Sequence, residues 1–97
     1  MPRAIFNGVV IAEADETVIV EGNHYFPPES LHRQFFAETP SHHTTCPWKG
    51  VASYYDVEVE GERARAVAWT YRAPSERASF IKDHVAFYPR VRIEGVS

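Results

Sequence analysis

A single cysteine in ninety-seven residues excludes several kinds of protein at once. One thiol forms no internal disulfide and no multi-cysteine zinc site, and a free thiol suits a reducing compartment. Long apolar runs are also missing. The stretch Val9-Val10-Ile11-Ala12 near the start has four residues, against about twenty for a membrane span and at least about seven for a signal-peptide core. No membrane partner is expected, and the expected location is cytoplasmic. Positive charge is sparse and scattered. Ten Lys and Arg against thirteen Asp and Glu leave a net charge of −3, with basic neighbours only at Arg63/Arg65 and Arg90/Arg92. Counterion-release binding draws on a concentrated basic face, so no nucleic-acid partner is expected. Glycine-rich phosphate loops, repeats and low-complexity tracts are absent as well.

What is present suits one domain spanning residues 1–97, since a chain this short has no room for two separate cores. Hydrophobic residues make up 44% and aromatics 13%, enough to fill one interior. Residues 4–12 and 17–21 read as β-rich runs joined by the polar gap Glu13-Ala14-Asp15-Glu16, a first hairpin. Asn23 to Phe26 reads as a short strand stopped by Pro27-Pro28. Pro28 then suits the first turn of a helix over 28–35, with Leu31 and Phe35 on one face. The polar segment from Glu38 to Thr45, with Pro40 and paired histidines, has loop composition.

The longest strands follow. From Val51 to Val59 the odd positions form an apolar row; Glu60-Gly61-Glu62 turns the chain. Arg63 to Tyr71 returns with Val67, Trp69 and Tyr71 on one face and Ala64, Ala66 and Ala68 on the other. That alanine face fills little volume, so it needs a close helix or leaves space. Ser75 suits the N-cap of a helix over 75–83, and Val85 to Tyr88 and Val91 to Ile93 are closing strands. The expected fold is mainly β (α+β by count): an antiparallel twisted sheet or half-open barrel of about seven short strands with two short helices.

Chemistry concentrates in Thr44-Thr45-Cys46-Pro47-Trp48-Lys49-Gly50. This run holds the only cysteine, one of two tryptophans and one of two lysines. Proline in second position favours a tight turn from Cys46 to Lys49, holding their Cα atoms within about 7 Å. An ammonium at that range lowers a thiol's pKa and raises its reactive thiolate fraction.

The block Cys46-Pro47-Trp48-Lys49-Gly50-Val51-Ala52-Ser53-Tyr54, followed by Ala68-Trp69-Thr70-Tyr71 and then Val85-Ala86-Phe87-Tyr88, resembles a known family. It is the small bacterial and fungal domain of unknown function numbered 427, recognised by Cys-Pro-x-Lys-Gly-x-Ala-x-Tyr, a later Trp-x-Tyr and a closing Ala-Phe-Tyr. The resemblance covers nearly the whole chain, with all three blocks in order. It implies a compact β-rich single domain. It also brings a label suggesting nucleotidyl transfer, a chemistry that normally needs clustered carboxylates for Mg²⁺ and a phosphate cradle. Here the acidic residues fall in turns and on solvent-like strand rows.

Around the turn each residue has a packing reading and a chemical one. Cys46 is either a small buried hydrophobe or a reactive thiolate. Lys49 is either a solvated turn lysine or an anion anchor assisted by converging backbone amides near Gly50. Tyr54 shares a strand row with Gly50 and Ala52, whose small side chains leave a depression beside its phenol. Trp48, Trp69 and Tyr71 are core aromatics or the walls of that depression. His43, three residues from Cys46, is a candidate base to the thiol. His42, His43 and Cys46 together carry donors that suit Zn²⁺. Three such neighbours on one loop rarely reach tetrahedral positions, and a fourth ligand would have to come from His24, His32 or His84. Neither a metal nor a cofactor is expected.

Three functions fit these residues. The first is a module binding a small anionic or polar ligand, with His43, Trp48, Gly50, Tyr54, Trp69 and Tyr71 around Lys49 and Cys46. The second is a small enzyme with Cys46 as nucleophile or Lys49 as acid or electrophile. The third is an interaction domain without a pocket. The sequence does not separate a monomer from a homodimer.

Overall fold

The computed structural model describes residues 1–96, which form nine strands and three short 3-10 turns. Three hairpins share one device, a two-residue turn with glycine second. Asn7-Gly8 joins β1 (Arg3–Phe6) to β2 (Val9–Glu13), and Glu21-Gly22 joins β3 (Val18–Val20) to β4 (Asn23–Tyr25). Glu60-Gly61 joins β6 (Gly50–Val59) to β7 (Glu62–Thr70). All six central residues have positive φ, from 50° to 84°. This is the backbone a right-twisted hairpin requires and that glycine adopts without strain. The expected first hairpin, 4–12 with 17–21, is therefore corrected. The chain reverses at Asn7-Gly8, so two strands stand where one run was read.

The second correction is β5 (Phe36–Cys46), an eleven-residue strand where loop composition was read. It pairs antiparallel with β6, from Phe36↔Val57 to Cys46↔Gly50, with its register slipping between Glu38 and His43. Pro40 and Ser41 (φ 57°) sit in that slip, where neither has to keep the ladder. β8 (Val85–Phe87) and β9 (Arg92–Glu94) complete the set. The sheets run β2-β1-β9, β3-β4 and β5-β6-β7-β8. Phe26 bridges to Val85 and joins the β3-β4 hairpin to the four-stranded sheet. The fold is mainly β, and among the described residues no barrel closes. Nine strands replace the expected seven because Asn7-Gly8 splits a run and β5 is a strand.

Both expected helices shrink to 3-10 turns, Pro28–Ser30 with Arg33–Phe35, and Glu76–Ile81. Leu31 explains the first. It is extended and bridges to Ala12, and the His32 N–H donates to the Ile11 carbonyl at 2.9 Å, so the chain leaves helical geometry between the two turns. Ser75 does not cap the second; its hydroxyl donates to the Trp48 carbonyl. No helix among the described residues is long and apolar enough to cross a membrane.

The four-stranded sheet buries both faces. Tyr55, Val57, Val59, Ala64 and Ala68 join Phe6, Ile11, Phe26, Val85 and Phe87 in one cluster. Ala52, Tyr54, Trp69, Tyr71 and Ala86 join Tyr25, Ala78 and Ile81 in the other. Each fully buried side chain such as Phe26 or Ile11 contributes about 1.5–3 kcal/mol. Ala64 and Ala68 pack in a cluster with Phe6, Phe26 and Phe87 and no helix, whereas Ala66 packs on the opposite, aromatic side, against the single alanine face read from sequence. A bulge in β7 moves Val67 to the alanine side, against the alternation read from sequence. Ala66 takes φ 53°, and its N–H donates to Asp56 Oδ1 at 2.8 Å. Asp56 is 2% exposed and also accepts from the Thr39 hydroxyl and from Arg63 Nη2 at 2.6 Å. One carboxylate thus ties the β5 irregularity to the β7 bulge.

Candidate functional site

Cys46 and Gly50 pair across the β5-β6 connection, leaving Pro47, Trp48 and Lys49 as its three residues. Gly50 has φ 113°, a conformation that side-chain-bearing residues rarely adopt. A Cβ there would sit 3.4–3.5 Å from the backbone of Ala73, Pro74 and Ser75. That segment is tied to the turn by Ser75 N–H donating to the Lys49 carbonyl at 3.0 Å. At its Gly50 end, the depression expected beside the Tyr54 phenol is therefore occupied by the chain itself.

Lys49 is the unusual residue, a lysine only 5% exposed. Its ammonium pairs with the carboxylate of Glu21, at the tip of the β3-β4 hairpin. Nζ lies 5.3 Å from the centre of the Trp48 ring and 5.7 Å from that of Tyr71, within cation–π range. Trp48 Nε1 donates to the other carboxylate oxygen of Glu21 at 3.3 Å. These two donors hold the Glu21 carboxyl below its ordinary range. Burial pulls the Lys49 ammonium down, but the Glu21 carboxylate and the nearby phenols of Tyr25 and Tyr71 leave it raised overall. Burial pushes the Tyr71 phenol up to about 12, against the pull of the Lys49 ammonium.

Cys46 is half-buried on the same face. Burial acts to raise its thiol. The N–H groups of Lys49 and Trp48 directed at the sulfur, with the Lys49 ammonium, reverse the sign and leave it below a free thiol. The expected influence of Lys49 on Cys46 thus arrives largely through the turn's backbone amides.

Tyr54 and Trp69 are cross-strand neighbours on this face. Tyr54 shares a hydrogen bond of 2.8 Å with Thr44, and Trp69 Nε1 donates to the Tyr25 hydroxyl at 3.0 Å. Tyr88 lies over Trp69 with ring centres 4.7 Å apart. Hydrogen bonding to Tyr54, together with burial, pushes the Tyr88 phenol up to about 12. His43 is exposed, and alternation along β5 turns it to the face opposite Cys46. His42 instead meets the Tyr54 ring, 4.5 Å between centres. Among the described residues no three His, Cys, Asp or Glu side chains gather as metal ligands.

The structure therefore brings Cys46, Trp48, Lys49 and Tyr71 together at one end of an aromatic face and Tyr54 and Trp69 at the other. Sequence reading gave no role to Glu21 or Tyr25, and named Thr44 and Tyr88 only as members of motifs, not as site residues. The Glu21-Gly22 pair carries a hairpin signal, but nothing local announces that its carboxylate meets a lysine 28 positions on. Three clefts, of about 480, 330 and 100 Å³, lie elsewhere. The largest is bordered by Glu13, Asp15, Glu16 and Glu29, and none of the three is lined by Cys46, Lys49, Tyr54 or Trp69.

These features define a mainly β protein with a caged lysine and a half-buried thiol on one turn. The profile of a family described as a domain of unknown function, DUF427, matches residues 2–97, and the chain belongs to that family. Comparison with curated proteins finds no match.

Proposed function

We propose that this domain binds a small anionic or polar ligand at the Cys46–Lys49 turn. The supporting observation is a buried ammonium whose countercharge comes from an exposed residue on a separate hairpin. Burying a cation brings little stability of its own, since apolar replacements of buried ion pairs are often neutral or stabilising. Perturbed ionisable groups concentrate where function needs them. Access runs through Glu21, because the carboxylate covers the ammonium that an incoming anion would seek. The test is mass spectrometry of small molecules released when the purified protein is denatured, comparing wild type with Lys49→Met. A species enriched on wild type and lost from the variant supports the reading; matching profiles count against it.

A second reading, thiol chemistry at Cys46, is favoured by the lowered thiol. Alkylation of the folded protein by iodoacetamide across pH is then expected to reach half-maximal rate below the free-cysteine value of about 8.5. A midpoint at or above that value, or a thiol inert until unfolding, removes Cys46 as a nucleophile.

A further inference from the structure

The grip on Glu21 says what kind of anion suits this turn. Its two carboxylate oxygens meet two different donors, Oε1 the Lys49 ammonium and Oε2 the Trp48 indole N–H. The pair of donors thus fits the two oxygens of one planar group, one positive charge answers one negative charge, and the ring of Tyr71 adds an apolar wall. The donors sit on the turn that joins β5 to β6, with the Lys49 side chain 6% exposed, whereas the Glu21 side chain is 53% exposed. Among the described residues its only side-chain partners are Lys49 and Trp48. Glu21 stands first in a two-residue turn, φ 53°, followed by Gly22 at 81°. The hairpin is fastened at its base, where Phe26 and Val85 exchange backbone hydrogen bonds of 2.8 and 2.9 Å. Its tip is tethered to the turn by the carboxylate.

We propose that Lys49 Nζ and Trp48 Nε1 form a receptor for a small monocarboxylate ligand, and that Glu21 is the internal occupant such a ligand displaces. This rests on the reading of the Cys46–Lys49 turn as an anion site and adds to it the ligand class and the way in. An occupant on a short tether competes at an effective concentration on the order of millimolar or more. Wild type therefore responds to free monocarboxylates only at high concentration, and removing Glu21 uncovers the receptor.

The experiment follows the indole N–H resonance of Trp48, assigned with Trp48→Phe, while sodium acetate or sodium phosphate is titrated at constant ionic strength. Wild type, Glu21→Ala, Glu21→Gln and Glu21→Ala/Lys49→Met are compared. A saturable acetate response, with a midpoint at least tenfold lower in Glu21→Ala than in wild type and absent from the double variant, is the expected result. Glu21→Gln keeps the side chain's shape and removes its charge, so it shifts the same way and carries the test if the alanine variant does not fold. Equal acetate midpoints in wild type and both Glu21 variants overturn displacement while leaving an anion site in place. Phosphate saturating at lower concentration than acetate overturns the carboxylate class but not the anion site. No response to either anion in any variant ends this proposal, while the reading beneath it stands or falls on the comparison of released small molecules with Lys49→Met.

Discussion

Asp56→Ala is expected to destabilise the fold by about 3 kcal/mol, because it strips the acceptor from groups that cannot turn to water. The Thr39 hydroxyl is buried, and the Ala66 N–H is fixed by its bulge. Each loses a charge-assisted hydrogen bond and is left unpaired, at about 1–3 kcal/mol apiece. Arg63 is 58% exposed and simply rehydrates. For a domain this size the loss lowers the melting temperature by on the order of 10–20 °C. A change under about 1 kcal/mol would show that the two irregularities hold without the carboxylate.

The same residue gives the fold a pH signature. Burial acts to raise Asp56, but Arg63, Thr39 and the Ala66 amide outweigh it and hold the folded-state pKa below the ordinary value. The stability it contributes is therefore complete above the unfolded carboxyl's pKa of about 3.9, and is lost as pH falls through the lower folded value. Urea denaturation at pH 7 and in steps below pH 4 measures this loss. Asp56→Asn should flatten that part of the profile.

The largest functional effect is expected from Lys49→Met. The flexible apolar chain fills the space between Trp48 and Tyr71, and the Glu21 carboxylate left behind is already half in solvent. Stability should change by less than about 1 kcal/mol, as when a buried ion pair gives way to apolar packing. Anion response at the Trp48 indole should vanish. The Glu21 carboxyl should titrate higher than in wild type, because the ammonium is the first cause of its depression. The Cys46 thiol should rise as well, though only in part, since the amides of Trp48 and Lys49 remain. A variant that unfolds, or keeps its anion response, would make Lys49 a structural residue or move the site elsewhere.

How much of this was readable in the chain depends on how local each cause is. The turn at Glu60-Gly61, the β6-β7 hairpin it joins and the chemical turn at Cys46–Lys49 were readable because neighbours along the sequence make them. Asn7-Gly8 carries an equally local signal, masked by the β-formers on either side of it. β5 was hidden because Pro40 and Ser41 announce a loop, while the pairing with β6 that overrides them is a tertiary fact. The first helix failed for the same reason, since the Leu31–Ala12 bridge acts from outside the segment, and Ser75 is drawn from capping the second by the distant Trp48 carbonyl. Within the site, Lys49 was singled out by its motif, yet its burial and its partner were not. Glu21 reaches it only after two hairpins have closed, and the alternation of a strand read as loop decides that His42, not His43, faces Tyr54.

The irregularity in β5 also bears on how this protein behaves in a crowded solution. An eleven-residue strand at the margin of a four-stranded sheet offers a row of free backbone groups to any other extended chain, the geometry from which fibrils grow. Pro40 has no N–H to donate, Ser41 takes φ 57°, and Glu38, ion-paired with Arg72, stands beside the break. The edge is thereby broken into two short pieces, each a poorer template for pairing than an unbroken strand. The residues that give β5 the composition of a loop are the ones that interrupt its open edge.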